Sequence, residues 1–199
     1  MDAQGFDANR FANAIQRFDA TNATDPNRVM VDGVDVAKEV LYAKQMTHWQ
    51  EKLYPQASEP LRLAARCQHI KRWEIPRDAF PMDRPGYHRW RTTLYSFHAD
   101  VAGKILTEVG YDAETVSRVQ ALLKKERIKT DPDAQALEDV ICLVFLENYF
   151  ADFAREHDDA KVITILQRTW KKMSPVGHSA ALKLQMTPEA QRLVGMALT

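Results

Sequence analysis

Between Asp131 and Glu156 the chain reads PDAQALEDVICLVFLENYFADFAR, a stretch with almost no polar face in its middle. Leu137, Val140, Ile141, Val144, Phe145, Tyr149 and Ala151 to Phe153 surround a 3.6-residue helix on nearly every side. A helix apolar all round belongs at the centre of a bundle. Asp131 and Pro132 supply a cap and a first turn, so a helix is expected over about 133–156. Asp139 shares a face with Cys142, Leu143, Leu146, Phe150 and Phe153, so its carboxylate is expected to point inward. A buried carboxylate is costly unless it is paired, hydrogen-bonded or bound to metal.

The rest of the chain supplies helices to wrap such a centre. Helical periodicity dominates, with segments expected at about 8–18, from near Asp35 to Leu53, and over 59–73, 87–109, 113–125, 159–172 and 188–197. Asp32 or Asp35 would cap the second of these, and Ser58 with Pro60 would open the third. Gly110 ends a helix, and Thr187-Pro188-Glu189 starts the last one. Pro76, Pro81 and Pro85 forbid regular helix in an aromatic-rich loop. Strand alternation is not evident, and seven glycines are few for a turn-rich β fold of 199 residues. The expected fold is therefore all-α, a single compact helical domain over 1–199. Its core would cover about 30–155, with a C-terminal helical extension over about 156–199.

Lys+Arg and Asp+Glu both number 27, so total charge points to no partner. Its distribution is uneven. Residues 62–91 carry eight lysines and arginines against three acids, whereas 131–159 carry nine acids against Arg155 alone. The N-terminus has no basic region followed by an apolar run, so no secretory signal is expected. No apolar run approaches the length of a membrane span. Cys67 and Cys142 sit in apolar helical stretches and read as reduced, buried thiols of a cytoplasmic protein. A phosphate-cradling glycine loop, a Gly-x-Ser-x-Gly elbow, a dinucleotide fingerprint and a Cys-x-x-Cys pair are all missing from the sequence.

The segments AARCQHIK, YSFHADVAGKILTEVGY and LEDVICLVFLE, in that order, resemble the helical HD superfamily of metal-dependent phosphohydrolases. The resemblance places Gln68-His69-Ile70-Lys71-Arg72 where that family has His-Asp-Ile-Gly-Lys, so its metal-binding pair is here Gln-His. It places Asp139 at the family's distal metal-binding Asp, and Glu39 near the first His. It implies an HD-like helical core and hydrolysis of a phosphate-bearing small molecule or nucleotide. Over its whole length, with QHIKRWEIPR, PGYHRWR and LEDVICLVFLENYF, the chain also resembles a bacterial and fungal domain family of unknown function, numbered 4202.

The residues support that chemistry independently. Imidazoles and carboxylates converging from several helices bind a divalent metal such as manganese, iron, zinc or nickel. His69, Asp139, His98 and Glu39 are the candidate set. Arg66, Lys71, Arg72, Arg77 and Arg91 are candidates for holding a phosphate, with Gln68, Trp73 and Glu138 beside them. Each has a plainer reading. Asp139 could tie helices through an arginine such as Arg72, His98 could be a hydrogen-bonded core histidine, and Glu39 could lie on a solvated face. Trp73, Trp90 and Tyr87 could pack a loop or stack on a base. In the non-catalytic alternative, residues 62–91 bind an anion, an RNA end or a protein partner without metal. In a third, the acidic and basic segments are interaction surfaces weakened steeply by salt.

Overall fold

A computed structural model describes residues 6–128 and 130–198. It is an all-α fold with one small β-hairpin. The helices are α1 (Ala8–Asn22), α2 (Lys38–Leu53), α3 (Glu59–Cys67), α4 (Arg84–Val109), α5 (Ala113–Leu123) and α6 (Pro132–Asn148), then α7 (Phe150–Arg155), α8 (Asp159–Trp170), α9 (Pro175–Ala181) and α10 (Pro188–Leu198). Two single 3-10 turns, Arg72–Glu74 and Arg77–Ala79, carry the chain from α3 to α4.

Helix α6 is the central helix that its composition calls for. Leu137, Val140, Leu143 and Val144 are fully buried, and α2, α3, α5, α7 and α9 all pack on it. One core of apolar side chains runs from Ala14 to Ala197. The starts follow local capping chemistry: Asp7, Ser58, Asp83, Asp112, Asp131, Asp158 and Ser174 each accept backbone N–H groups of the turn they precede. Gly110 closes α4 at φ +93, the left-handed conformation that glycine adopts without strain.

Several expectations change. The second helix starts at Lys38, not near Asp35, because Arg28–Val31 and Val34–Ala37 pair as antiparallel strands. Asp32 and Gly33, at φ +49 and +80, form the hairpin turn instead of a helix cap. Helix α3 ends at Cys67, well short of residue 73. The expected 133–156 helix breaks at Tyr149, where the Asn148 side chain donates to the Val144 carbonyl and competes with the helical ladder. Helix α9, opened by Ser174-Pro175, lies between the expected 159–172 and 188–197 segments and is not among the expected helices.

Candidate functional site

The early end of α3 leaves room for a tight turn over residues 68–71, with the Ile70 N–H bonded to the Cys67 carbonyl. Lys71 is left-handed at φ +54, and its N–H is held by Asn22 Oδ1 of α1 at 3.1 Å. From the other side, His98 Nδ1 of α4 donates to the Ile70 carbonyl at 2.7 Å. With the Ile70–Lys71 peptide held from both sides, the turn presents Gln68, His69 and Arg72 to a cleft of about 800 Å³. Helices α2, α4, α6 and α8 form its walls, and Lys125 reaches it from the end of α5.

Cations line this cleft. Lys38, Arg72, Arg84, Arg91, Lys125, Arg168, Lys171 and Lys172 face it, against the carboxylates of Glu39 and Glu138. Only Lys125 has an ion pair, 2.6 Å from Glu138; the other seven meet no carboxylate within salt-bridge distance among the described residues. Concentrating unpaired like charge in a concave surface raises a positive potential of several kT. Aromatic rings are interleaved with it: the Arg72 guanidinium lies 4.7 Å from the Trp90 ring centre, and Tyr87 is 5.8 Å from Trp90.

On the floor, His69 stacks on Tyr42 at 3.9 Å and 10°. Arg72 Nη1 lies 3.5 Å from His69 Nε2 and Glu39 lies 3.4 Å from Nδ1. A guanidinium can only donate, so Nε2 is the accepting nitrogen and Nδ1 carries the proton toward Glu39. Burial, then the charges of Arg72, Lys125 and other cations, hold His69 well below its ordinary range. Burial, followed by His69, pulls His98 down to about 3, and burial pushes Glu39 up to about 7. Both imidazoles are therefore neutral at neutral pH.

These directions make a pH prediction. Between about 3 and 6.5 the unfolded chain binds a proton at His98 that the folded chain refuses, so stability falls as pH drops through that window. Glu39 acts oppositely between 4.5 and about 7, where the folded chain keeps the proton and stability falls as pH rises. Replacing His98 by Asn is expected to remove about 1.4 kcal/mol per pH unit from the acid-side slope of urea-unfolding stability. An unchanged slope would place the His98 proton elsewhere.

Of the expected residues, the fold gathers Glu39, Gln68, His69, Arg72, Arg91, His98 and Glu138 in the cleft. Asp139 is not among them. Its carboxylate is fully buried, accepting from Tyr54 Oη, from Ser174 N and Oγ, and from Gln135 Nε2. It ties helix ends together through neutral donors, neither metal nor arginine. Arg66 is likewise removed, forked onto Asp19 at 2.8 and 2.5 Å and bonded to Thr47. Lys71 extends outward to Glu74 at 2.6 Å, and Arg77 is held by the Phe80 and Asp83 carbonyls. Trp73 is half-buried outside the cleft. The acidic segment does not face the basic one as a block: Asp131 and Asp133 pair with Arg118, Asp152 with Arg155, and Asp159 with Arg192.

Lys38, Tyr42, Lys125, Arg168, Lys171 and Lys172 escape the sequence reading, and Arg84 enters it only as part of the basic 62–91 segment. Lys171-Lys172 is a visible dibasic signal, but only the fold of α8 against the bundle directs it to the same cavity as Arg72. As for a metal, no group of three or more His, Cys, Asp or Glu among the described residues is arranged to hold one. With Asp139 tied elsewhere and Arg72 against His69 Nε2, the residues present do not fit the metal that the HD resemblance implies. No helix among the described residues is long and apolar enough to cross a membrane.

No curated protein and no solved structure matches the chain. A family match covers residues 12–194, all of the cleft included, and the chain thus belongs to the family described as Domain of unknown function (DUF4202).

Proposed function

We propose that the cleft binds a phosphate-bearing small molecule with a planar ring, a nucleotide or a close analogue. One observation carries this reading: seven lysines and arginines without a carboxylate partner among the described residues converge on a cavity of about 800 Å³ that also displays Tyr87 and Trp90. Self-repulsion among these charges opposes folding, and a bound phosphate offsets it. Forked guanidinium bonds would hold the phosphate oxygens, and the aromatic faces would stack on the ring. The reading is one of ligand binding by the chain's own side chains, without a metal.

Titration calorimetry with adenosine monophosphate and inorganic phosphate tests it. Replacing Arg72 by Ala is expected to weaken both ligands roughly 10- to 100-fold, the value of one or two charge-assisted hydrogen bonds. Arg155→Ala, at a side chain exposed and paired with Asp152, should change nothing. Affinity should also fall as pH rises through about 7, where Glu39 gains its charge beside the anion. Absence of binding by either ligand, or equal loss in the Arg72 and Arg155 variants, would remove the cleft as an anion site.

A further inference from the structure

The cationic groups of the cleft are all donors, yet its floor is the reverse. Three buried side-chain acceptors there have no hydrogen-bond donor among the described residues: Glu39 Oε2, Gln68 Oε1 and His98 Nε2. The His98 case rests on geometry alone. Its Nδ1 lies 2.7 Å from the Ile70 carbonyl, which can only accept, so Nδ1 carries the proton and Nε2 is a bare lone pair. His69 is close by, its ring centre 5.9 Å from that of His98, but its Nδ1, 3.4 Å from Glu39 Oε2, is not aligned to donate to that carboxylate. Glu39, Gln68 and His98 are each more than nine-tenths buried. Proteins rarely leave several buried acceptors unmatched in one place without a partner group to meet them.

We infer that this floor is a recognition subsite for a hydrogen-bond-donating group, an amino or hydroxyl, at the end of the ligand remote from its phosphate. The inference rests on the anion-binding reading of the same cleft and names which phosphate-bearing molecules it takes. The donor is neutral rather than a metal ion or an ammonium, because Lys38, Arg72, Arg91 and Lys125 surround the floor with positive charge. The ligand is therefore polarised, with an acceptor-rich phosphate against the cationic wall and a donor against the floor. A site built this way discriminates strongly, because an analogue lacking the donor leaves buried acceptors unpaired.

Calorimetry with three probes tests the subsite: adenosine monophosphate, purine riboside monophosphate (which lacks the exocyclic amine) and dideoxyadenosine monophosphate (which lacks the sugar diol). A loss of about tenfold or more on deleting the amine identifies an amino donor, and the same loss on deleting the diol identifies a hydroxyl donor. Either supports the inference. Gln68→Met, which removes one acceptor with little change of shape, is then expected to narrow the ratio between the sensitive probe pair. If all three probes bind equally, the phosphate reading survives and the donor subsite falls. If none binds, and inorganic phosphate fails as well, both fall together.

Discussion

Replacing Asp139 by Ala is expected to destabilise the domain by roughly 3–5 kcal/mol, because it removes the common acceptor of several buried neutral donors at about 1–3 kcal/mol for each one left unpaired. The carboxylate is completely buried and accepts from four donors on three parts of the chain. Tyr54 is the C-cap of α2 and Ser174 the N-cap of α9, so one side chain of α6 fastens the end of one helix and the start of another. Gly177 lies so close that a Cβ there would sit 2.7 Å from Asp139 Oδ1, so the carboxylate also packs where only a glycine fits. Burial together with the bond to Asp139 pushes the Tyr54 phenol up, as befits a hydroxyl committed to donating. Alanine strands the Tyr54 and Ser174 donors, while Gln135 keeps its bond to the Lys172 carbonyl. The melting temperature should drop on the order of 10 °C for a chain of this size. Affinity for adenosine monophosphate, measured well below the transition, should be unchanged, since Asp139 does not line the cleft. Unaltered urea unfolding together with lost ligand binding would instead make Asp139 a ligand-contacting residue.

Much of the architecture was legible because helices announce themselves locally. Gly110 and Asp131 with Pro132 bracket helices in the structure as their capping chemistry requires, whereas Pro85, expected to forbid helix, lies in the first turn of α4 behind the Asp83 cap. The inward direction of Asp139 and His98 was legible too, since spacing alone sets the face of a helix. What failed was pairing at a distance. Arg66 and Arg72 lie in the same basic run, but Asp19, 47 residues upstream, captures the first, and no carboxylate among the described residues captures the second. No local pattern separates them. Asp32-Gly33 was a readable hairpin signal between alternating apolar residues, overlooked because the strands are only four residues each beside a long helical pattern. Lys125 depends on the left-handed loop after α5, where Lys125 and Arg127 adopt φ +63 and +54 without being glycine.

That loop leads to the other large expected effect. Lys125 Nζ and Glu138 lie 2.6 Å apart with both side chains 8 % exposed, joining the end of α5 to α6 under the cleft. Burial pulls the Lys125 ammonium down. Burial also opposes the Glu138 charge, yet Lys125, Lys172 and Arg91 outweigh it and hold the carboxyl below its ordinary range. Neutralising one partner leaves the other charged in a poorly solvated place, so Glu138→Gln or Lys125→Met should each destabilise by about 3–5 kcal/mol. Replacing both with methionine should recover most of that loss, because an apolar pair of similar volume carries no desolvation penalty. A double variant no better than the singles would mean that shape rather than charge matters there. Ligand affinity separates the two single variants further. Glu138→Gln frees Lys125 to join the seven unpaired cations, so phosphate should bind several-fold more tightly to a less stable protein. Lys125→Met should lose stability without that gain. Opposite movement of stability and affinity in Glu138→Gln is expected only if the cations of the cleft act on an anion; parallel movement would make the pair a structural tie alone.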